Sequence, residues 1–356
     1  GAGPVRYFDG YEIKPFVRLD QSLLRDFWYG LTQVGIDKAK AGVVSGKYQQ
    51  FFRRQQILLN AQLTYWNLVL AQEVVAFRKV SRDRTEKLLR WNENRVGLDL
   101  ADPADLFQAQ AAFKSRQLSL QLAQEDEVKA QRKFNEMLGN SVTVVSGDLE
   151  KLADKIDKYS DVAALTHSGD RADVLAARAA YRNAELAERE TYFRSMPELS
   201  LSALYSLHGL SLSSSDAWNQ VTGSDKPTTT ITLSAAIPLD YWTLNKVQEG
   251  YHRDYAAAQA QLEKAELTSR NQWGELSQTW TDVKSRLALA EEIKGIQEKR
   301  LANEQKRFQR GRSTTFSVLT AENDLDDATL NVYRMVFEEL VTAAQAELFN
   351  TQAFKN

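Results

Sequence analysis

The chain has no cysteine, only 6 prolines and 17 glycines in 356 residues, and nearly balanced charge, with a formal net of -2. The first absence excludes disulfides, thiol nucleophiles and cysteine metal sites, and leaves no acceptor for an N-terminal lipid in this sequence. The balance removes the basic footprint of a nucleic-acid binder. No run of about 18 apolar residues occurs, so no transmembrane helix is expected, and a membrane would have to be met through strands. Few helix breakers, with 43% hydrophobic and 26% charged residues, point to long helices in an elongated molecule. Gly1-Ala2-Gly3-Pro4 reads as the ragged start of a processed or truncated chain.

Two periodicities alternate along the sequence. From Arg6 to Leu24 the period is two, with Tyr7, Tyr11, Ile13, Val17 and Leu19 on one side and Arg6, Glu12, Lys14, Arg18 and Asp20 on the other. One apolar and one charged face suit a barrel wall, or the edge strand of a soluble sheet. After Arg25-Asp26 the period becomes helical, with a seam at Leu59, Leu63, Trp66, Leu70, Val74 and Phe77. About seventy residues at about 1.5 Å each make a rod of about 100 Å. Gly97 is positioned to end it as a left-handed C-cap, and Asp102-Pro103 restarts a helix with an N-cap acid and a first-turn proline. That helix ends at Gly139. Ser141 to Gly169 is less periodic, Arg171 to Phe193 is helical, and Glu198 to Leu210 and Thr228 to Leu239 alternate again, separated by a polar loop at Asp216 to Pro227. A second seam, Trp273, Leu276, Trp280, Val283, Leu287 and Ala290, runs toward Arg310-Gly311-Arg312, and a last helix carries Val318 to Ala343.

The order strand, long helix, glycine turn, shorter helix occurs twice. A shift of 214 sets Leu19 on Leu233, Leu23 on Ile237, Trp66 on Trp280, Val69 on Val283 and Gly97 on Gly311; after the glycine a shift of 212 pairs Leu106 with Val318 and Ala109 with Ala321. Helices this long have too little core of their own and need cover from neighbours and other chains.

The sequence resembles the TolC-like outer-membrane efflux protein family over nearly its whole length. The resemblance is carried by Arg95-Val96-Gly97-Leu98 with Asp105-Leu106-Phe107-Gln108-Ala109-Gln110-Ala111; Arg171-Ala172-Asp173-Val174 leading to Pro197-Glu198-Leu199-Ser200-Leu201; Ile231-Thr232-Leu233-Ser234 with Ile237-Pro238-Leu239; and Arg307-Phe308-Gln309-Arg310-Gly311 with Val318-Leu319-Thr320-Ala321. It implies a mainly α protein with a membrane β part: a homotrimer sharing a twelve-stranded outer-membrane β-barrel and a coiled-coil α-barrel across the periplasm of a Gram-negative bacterium. It further implies an exit duct of a tripartite efflux or type I secretion system, with a periplasmic adaptor, an inner-membrane transporter and outer-membrane lipid as partners. No enzyme activity, cofactor, metal or nucleic acid is expected. The competing reading of the periodicities is a soluble coiled-coil scaffold.

The expected organisation is a first barrel strand at 1–24, a first helical hairpin at 25–138, an equatorial segment at 139–170, a helix at 171–197, a barrel hairpin at 198–239, a second helical hairpin at 240–351 and a tail at 352–356. Twelve strands in a trimer require four per chain, and three alternating segments are legible, so the native protein is expected to extend upstream of Gly1. The hairpin tips, Val96, Gly97 and Leu98 with Gly311, Arg312 and Ser313, are the expected adaptor-docking surface. The resemblance puts the entrance gate at Asp105, with Ser317 and Thr320 standing where relatives often carry acids, and Arg312, near that turn, is expected to hold the gate closed by pairing between helices. A ring of Asp105 would favour cations, though an acid in a first helical turn is also ordinary capping. Tyr7, Phe8, Tyr11, Tyr205 and Trp218 are candidates for interfacial aromatics. His167, His208 and His252 lack ligand spacing, Trp66 and Trp280 belong to seams, and the acid pairs Glu291-Glu292 and Asp326-Asp327 read as solvated helix faces.

Overall fold

In the computed structural model, residues 10–100, 102–140, 149–152, 165, 167–224 and 227–350 are described. The elements are β1 (Tyr11–Ile13), β2 (Phe16–Ser22), α1 (Gly30–Gly97), α2 (Pro103–Met137), α3 (Ala172–Ser195), β3 (Glu198–Ser206), β4 (Gly209–Ser211), α4 (Ser214–Thr222), β5 (Thr228–Ala236), α5 (Tyr241–Gln309) and α6 (Thr315–Ala346). They fall into two compact units, Gly1–Lys47 with Leu175–Ala265, and Tyr48–Val174 with Glu266–Asn356.

The first unit contains all five strands of the described residues. β2, β3 and β5 form an antiparallel sheet in the order β2-β3-β5. Directly opposed residues share a face, so the registers Val17↔Tyr205, Leu19↔Ala203, Gln21↔Leu201, Ala203↔Ile231 and Leu201↔Leu233 assemble one chiefly apolar face. The alternate registers Arg18↔Leu204, Asp20↔Ser202, Ser22↔Ser200, Ser202↔Thr232 and Ser206↔Thr228 give a face of hydroxyls and charges. Every residue of β5 is exposed.

The stretch Arg6–Leu24 is broken rather than continuous, because Pro15 cannot donate to a ladder. β1 therefore leaves the sheet and pairs with β4 instead. The segment read as a polar loop holds a helix: α4 packs Ala217 and Val221 inward. Gly209 makes this possible, since a Cβ there would lie 2.0 Å from the Ala217 carbonyl oxygen. The parts of α1, α3 and α5 in this unit are tied by polar contacts. Lys38 pairs with Glu190, Asn183 Nδ2 donates to the Lys38 carbonyl at 2.7 Å, and the Tyr181 and Tyr255 hydroxyls meet at 2.6 Å. The Lys38 ammonium holds the Glu190 carboxyl below its ordinary range, and the Tyr181 hydroxyl pushes Tyr255 up to about 12.

The second unit is helical among its described residues and is organised around α6. Val332, Val336 and Leu340 of α6 join Val69, Leu152, Leu287 and Ala290 in one cluster. Val318, Leu319, Ala321 and Leu325 join Leu88, Leu301 and Phe308 in another. Each large side chain buried this way contributes about 1.5–3 kcal/mol. On α5 the heptad positions Leu276, Trp280, Val283, Leu287 and Ala290 are buried. On α1 the most buried face is not the Leu59–Phe77 seam but Thr64, Leu68, Val69, Ser81, Thr85, Leu88 and Asn92, a face half made of small polar residues for reasons that lie in α6.

Candidate functional site

The two turns that end α1 and α5 repeat atom for atom. In the second, Gly311 takes a left-handed φ of 69°. The Gly311 and Arg312 amides donate to the Phe308 and Arg307 carbonyls, each at 2.9 Å, which is a Schellman closure. In the first turn the left-handed residue is Asp99, with φ 53°, and the Asp99 and Leu100 amides donate to Val96 and Arg95 carbonyls at 3.0 and 2.8 Å. Gly97 is thus the last helical residue and not the cap. The equivalence is Asp99 with Gly311, at an offset of 212, so the two extra residues of the first repeat lie within the α1 helix and not in the turn after it.

At the same offset stands a pair of arginines that heptad reasoning passes over. Arg95 Nη2 donates to the Leu100 carbonyl at 2.8 Å, and Arg307 Nη2 reaches the Arg312 carbonyl at 3.5 Å. Each folds back over its own turn toward a carbonyl of that turn, three residues past the end of the helix. The restart is duplicated too: the Asp102 carboxylate accepts from the Ala104 amide at 2.8 Å, and Thr314 Oγ1 accepts from the Ser317 amide at 3.2 Å.

On this frame Val96 is half-buried, while Gly97, Leu98, Gly311 and Arg312 are exposed. The Ser313 hydroxyl donates to Glu304. Asp105 sits half-buried in the first turn of α2. Ser317 Oγ meets Thr314 Oγ1 at 3.0 Å, and Thr320 Oγ1 donates to the Phe316 carbonyl at 2.9 Å. Among the described residues, none of Asp105, Arg312, Ser317 and Thr320 pairs with another of the four. Large apolar side chains stand exposed beside them: Leu98, Leu100, Phe107 and Phe316.

Further along α6 lies an ionic cluster. Asp326 is 1% exposed, which corrects its reading as a solvated face; Asp327, Glu291 and Glu292 are exposed. Its carboxylate meets Arg84 of α1 at 2.8 Å, Arg116 of α2 at 2.9 Å and Arg78 of α1 at 4.0 Å, and accepts from the Ser81 hydroxyl. One turn away Glu322 is also buried and accepts from Thr85 Oγ1 at 3.2 Å. Burial pushes the Glu322 carboxyl above its ordinary range against the pull of Arg84. Thr315 donates to Asn92 at 3.0 Å below. On the polar buried face of α1, Ser81 and Thr85 are thus the complement of two acids one helical turn apart and Asn92 that of Thr315, while Thr64 donates to the Asn60 carbonyl of its own helix.

Of the candidate interfacial aromatics, Tyr11 lies on β1, Tyr205 on the apolar sheet face opposite Val17, and Trp218 on α4, all exposed. Tyr7 and Phe8 lie outside the described residues.

A family model described as outer membrane efflux protein matches residues 168–350. No curated protein sequence matches the chain. Among solved structures, the outer-membrane channel OprN superposes with a TM-score of 0.70 at 14% identity, over 95% of this chain and 81% of that one. The outer membrane protein VceC from Vibrio cholerae gives 0.70 at 16%, over 94% and 86%. The MtrE outer membrane channel from Neisseria gonorrhoeae, in its open state, gives 0.68 at 14%, over 96% and 80%. At these identities the likeness establishes a shared fold.

Proposed function

Since this chain belongs to the outer membrane efflux protein family, we propose that three copies of it close the exit duct of an export assembly, conducting cargo passively and catalysing no reaction. The observation that carries this reading is the β2-β3-β5 sheet. Its apolar face, with Val17, Leu19, Ile231 and Leu233 exposed, has no described core to cover, and its opposite face is hydroxylated and charged. A soluble protein buries one face of such a sheet; a membrane barrel puts lipid on one and water on the other. β3 and β5 have 9 residues each, and at about 3.3 Å per residue with a tilt near 40° each rises about 23 Å, close to the apolar band of an outer membrane. Backbone groups at the outer edges of β2 and β5 could not remain unpaired in hydrocarbon, which favours closure with strands of other copies.

The helices carry the rest of the reading. α2 leaves Phe107, Leu118 and Leu122 exposed, and a neighbouring copy would cover them. The turns bearing Val96, Gly97, Leu98, Gly311, Arg312 and Ser313 would meet a periplasmic adaptor, which links the duct to an inner-membrane transporter. Asp105, Arg312, Ser317 and Thr320 would line the entrance, where the Arg312 guanidinium, unpaired within its own chain among the described residues, is free to bind a neighbouring copy.

Reconstitution into planar bilayers tests the reading. Discrete channels are expected, with conductance increased in Arg312→Ala. A water-soluble monomer that forms no channels would refute the duct, and an unchanged Arg312→Ala conductance would remove Arg312 from the gate.

A further inference from the structure

The matched turns fix the geometry of the helices on either side of them. α1 and α5 run unbroken into their turns, and α2 and α6 run unbroken out of them. Residues equally far from the turn, 212 apart in sequence, therefore stand at equal height on equal faces. α6 lies along α1 through a column of contacts. Tyr333 meets Phe77 edge to face, with ring centroids 6.1 Å apart; Asp326 meets Ser81, Arg84 and Arg78; Glu322 meets Thr85. Carried across the offset, the α1 side of this column becomes Leu289, Ile293, Ile296 and Gln297 on α5, and the α6 side becomes Gln121, Lys114 and Gln110 on α2.

Both duplicate faces lie open among the described residues. Leu289, Ile293 and Ile296 are exposed on α5, and Gln110, Lys114 and Gln121 are exposed on α2. Beside Lys114, Leu118 is 58% exposed, whereas its duplicate Leu330 on α6 is 9% exposed. A second copy of the chain can bring the two faces together, and the crossing of α6 on α1 supplies the template. The chemistry of the two crossings differs. Within the chain an acid is set among arginines; between copies, aliphatic side chains would face a lysine.

We infer that this divergence is an address: Asp326 restricts α6 to α1 of its own chain, and Lys114 with Leu118 restricts α2 to α5 of a second copy. The inference rests on the three-copy duct proposed above and deepens it by naming how the copies tell two similar joints apart. At the joint between copies, Lys114 lays its four-carbon stem along Ile293 and Ile296 and carries its ammonium out past them, toward Glu292, which is exposed on the same helix. Asp326 is too short for that. Docked on α5, its carboxylate would be buried against isoleucines with no arginine beside it. Lys114 docked on α1 would stand against Arg78 and Arg84, where like charges repel. A duplicated chain needs such a bar, since without it either second helix would fit either long helix.

The chain has no cysteine of its own, so Gln110→Cys with Gln297→Cys tests the joint directly. These positions duplicate Glu322 and Thr85, whose side-chain oxygens lie 3.2 Å apart. A short bismaleimide added to the full chain in detergent micelles should link three copies covalently, as read on a denaturing gel. Adding Lys114→Asp should lower the linked species at least about tenfold, because it buries a charge without a partner. Adding Ile296→Arg as well transplants the pairing of Asp326 with Arg84 into the joint, and linking should return to within about twofold of the parent. Unchanged linking in Lys114→Asp, or no recovery with Ile296→Arg, overturns the address. Trimers by light scattering that never link through 110 and 297 overturn the joint of α2 with α5 and leave the duct standing. Monomers that form no channels overturn both.

Discussion

α2 and α6 are the second helices of the two repeats, yet α2 buries four residues within the chain and α6 seventeen. Positions matched at the 212 offset show how far duplicates can diverge. Ala109 and Ala321 are both fully buried. Asp326, buried among arginines, matches Lys114, which is exposed; buried Glu322 matches exposed Gln110. The lesson is that a repeat transmits the helix and its caps, while the neighbours each copy acquires decide which side chains carry charge into the interior. α6 occupies the centre of its unit, touching α1, α2 and α5 through its acids and apolar clusters. α2 keeps an apolar face for which the described residues offer no cover.

The widest separation between the two helices should appear at the matched charges. Asp326→Ala leaves Arg84 and Arg116 with an uncompensated cluster and should cost about 3–5 kcal/mol, whereas Lys114→Ala should stay within about 0.5 kcal/mol; denaturant midpoints of detergent-solubilised protein would measure both. Equal effects would erase the contrast. Where the helices agree, they should respond alike: Ala109→Leu and Ala321→Leu each overfill a closed site and should each cost about 1–3 kcal/mol, read in the same melts.

A smaller effect depends on pH. Burial raises the Glu322 carboxyl in the folded chain above its unfolded value. Its contribution to stability is therefore fully present below the unfolded value and is lost as pH rises through the raised one. Glu322→Gln, which never ionises, should gain on the parent protein at neutral pH and lose that advantage as the solution is acidified. Glu190 moves in the opposite direction, because the Lys38 ammonium lowers it. Its contribution is present above the unfolded value and is lost as pH falls through the lowered one, so Glu190→Gln should cost most at neutral pH.

The features written locally were the most legible. Long helices, the alternation of Val17, Leu19, Ile231 and Leu233, and the duplication all follow from period and spacing. Sequence points to Gly97 rather than Asp99 as the cap because a glycine two residues away is the stronger local signal, while the left-handed aspartate is fixed by the turn's own hydrogen bonds. The helix at Ser214–Thr222 read as loop because its buried side is only Ala217 and Val221, too short to establish a period, and depends on Gly209 of another element. Asp326 read as solvated because a charge on an amphipathic helix usually is; its three arginines come from α1 and α2, far off in sequence. The arginine staples at Arg95 and Arg307 are readable in principle once the 212 offset is carried back across Gly97.

The central claim is that the two faces of the β2-β3-β5 sheet meet lipid and water. Single cysteines at Thr230, Ile231, Thr232 and Leu233, spin-labelled in proteoliposomes, test it most directly by comparing collisions with oxygen and with a water-soluble nickel chelate. The account predicts an alternation, with 231 and 233 accessible to oxygen and 230 and 232 to the chelate. Four labels equally open to the chelate would contradict it.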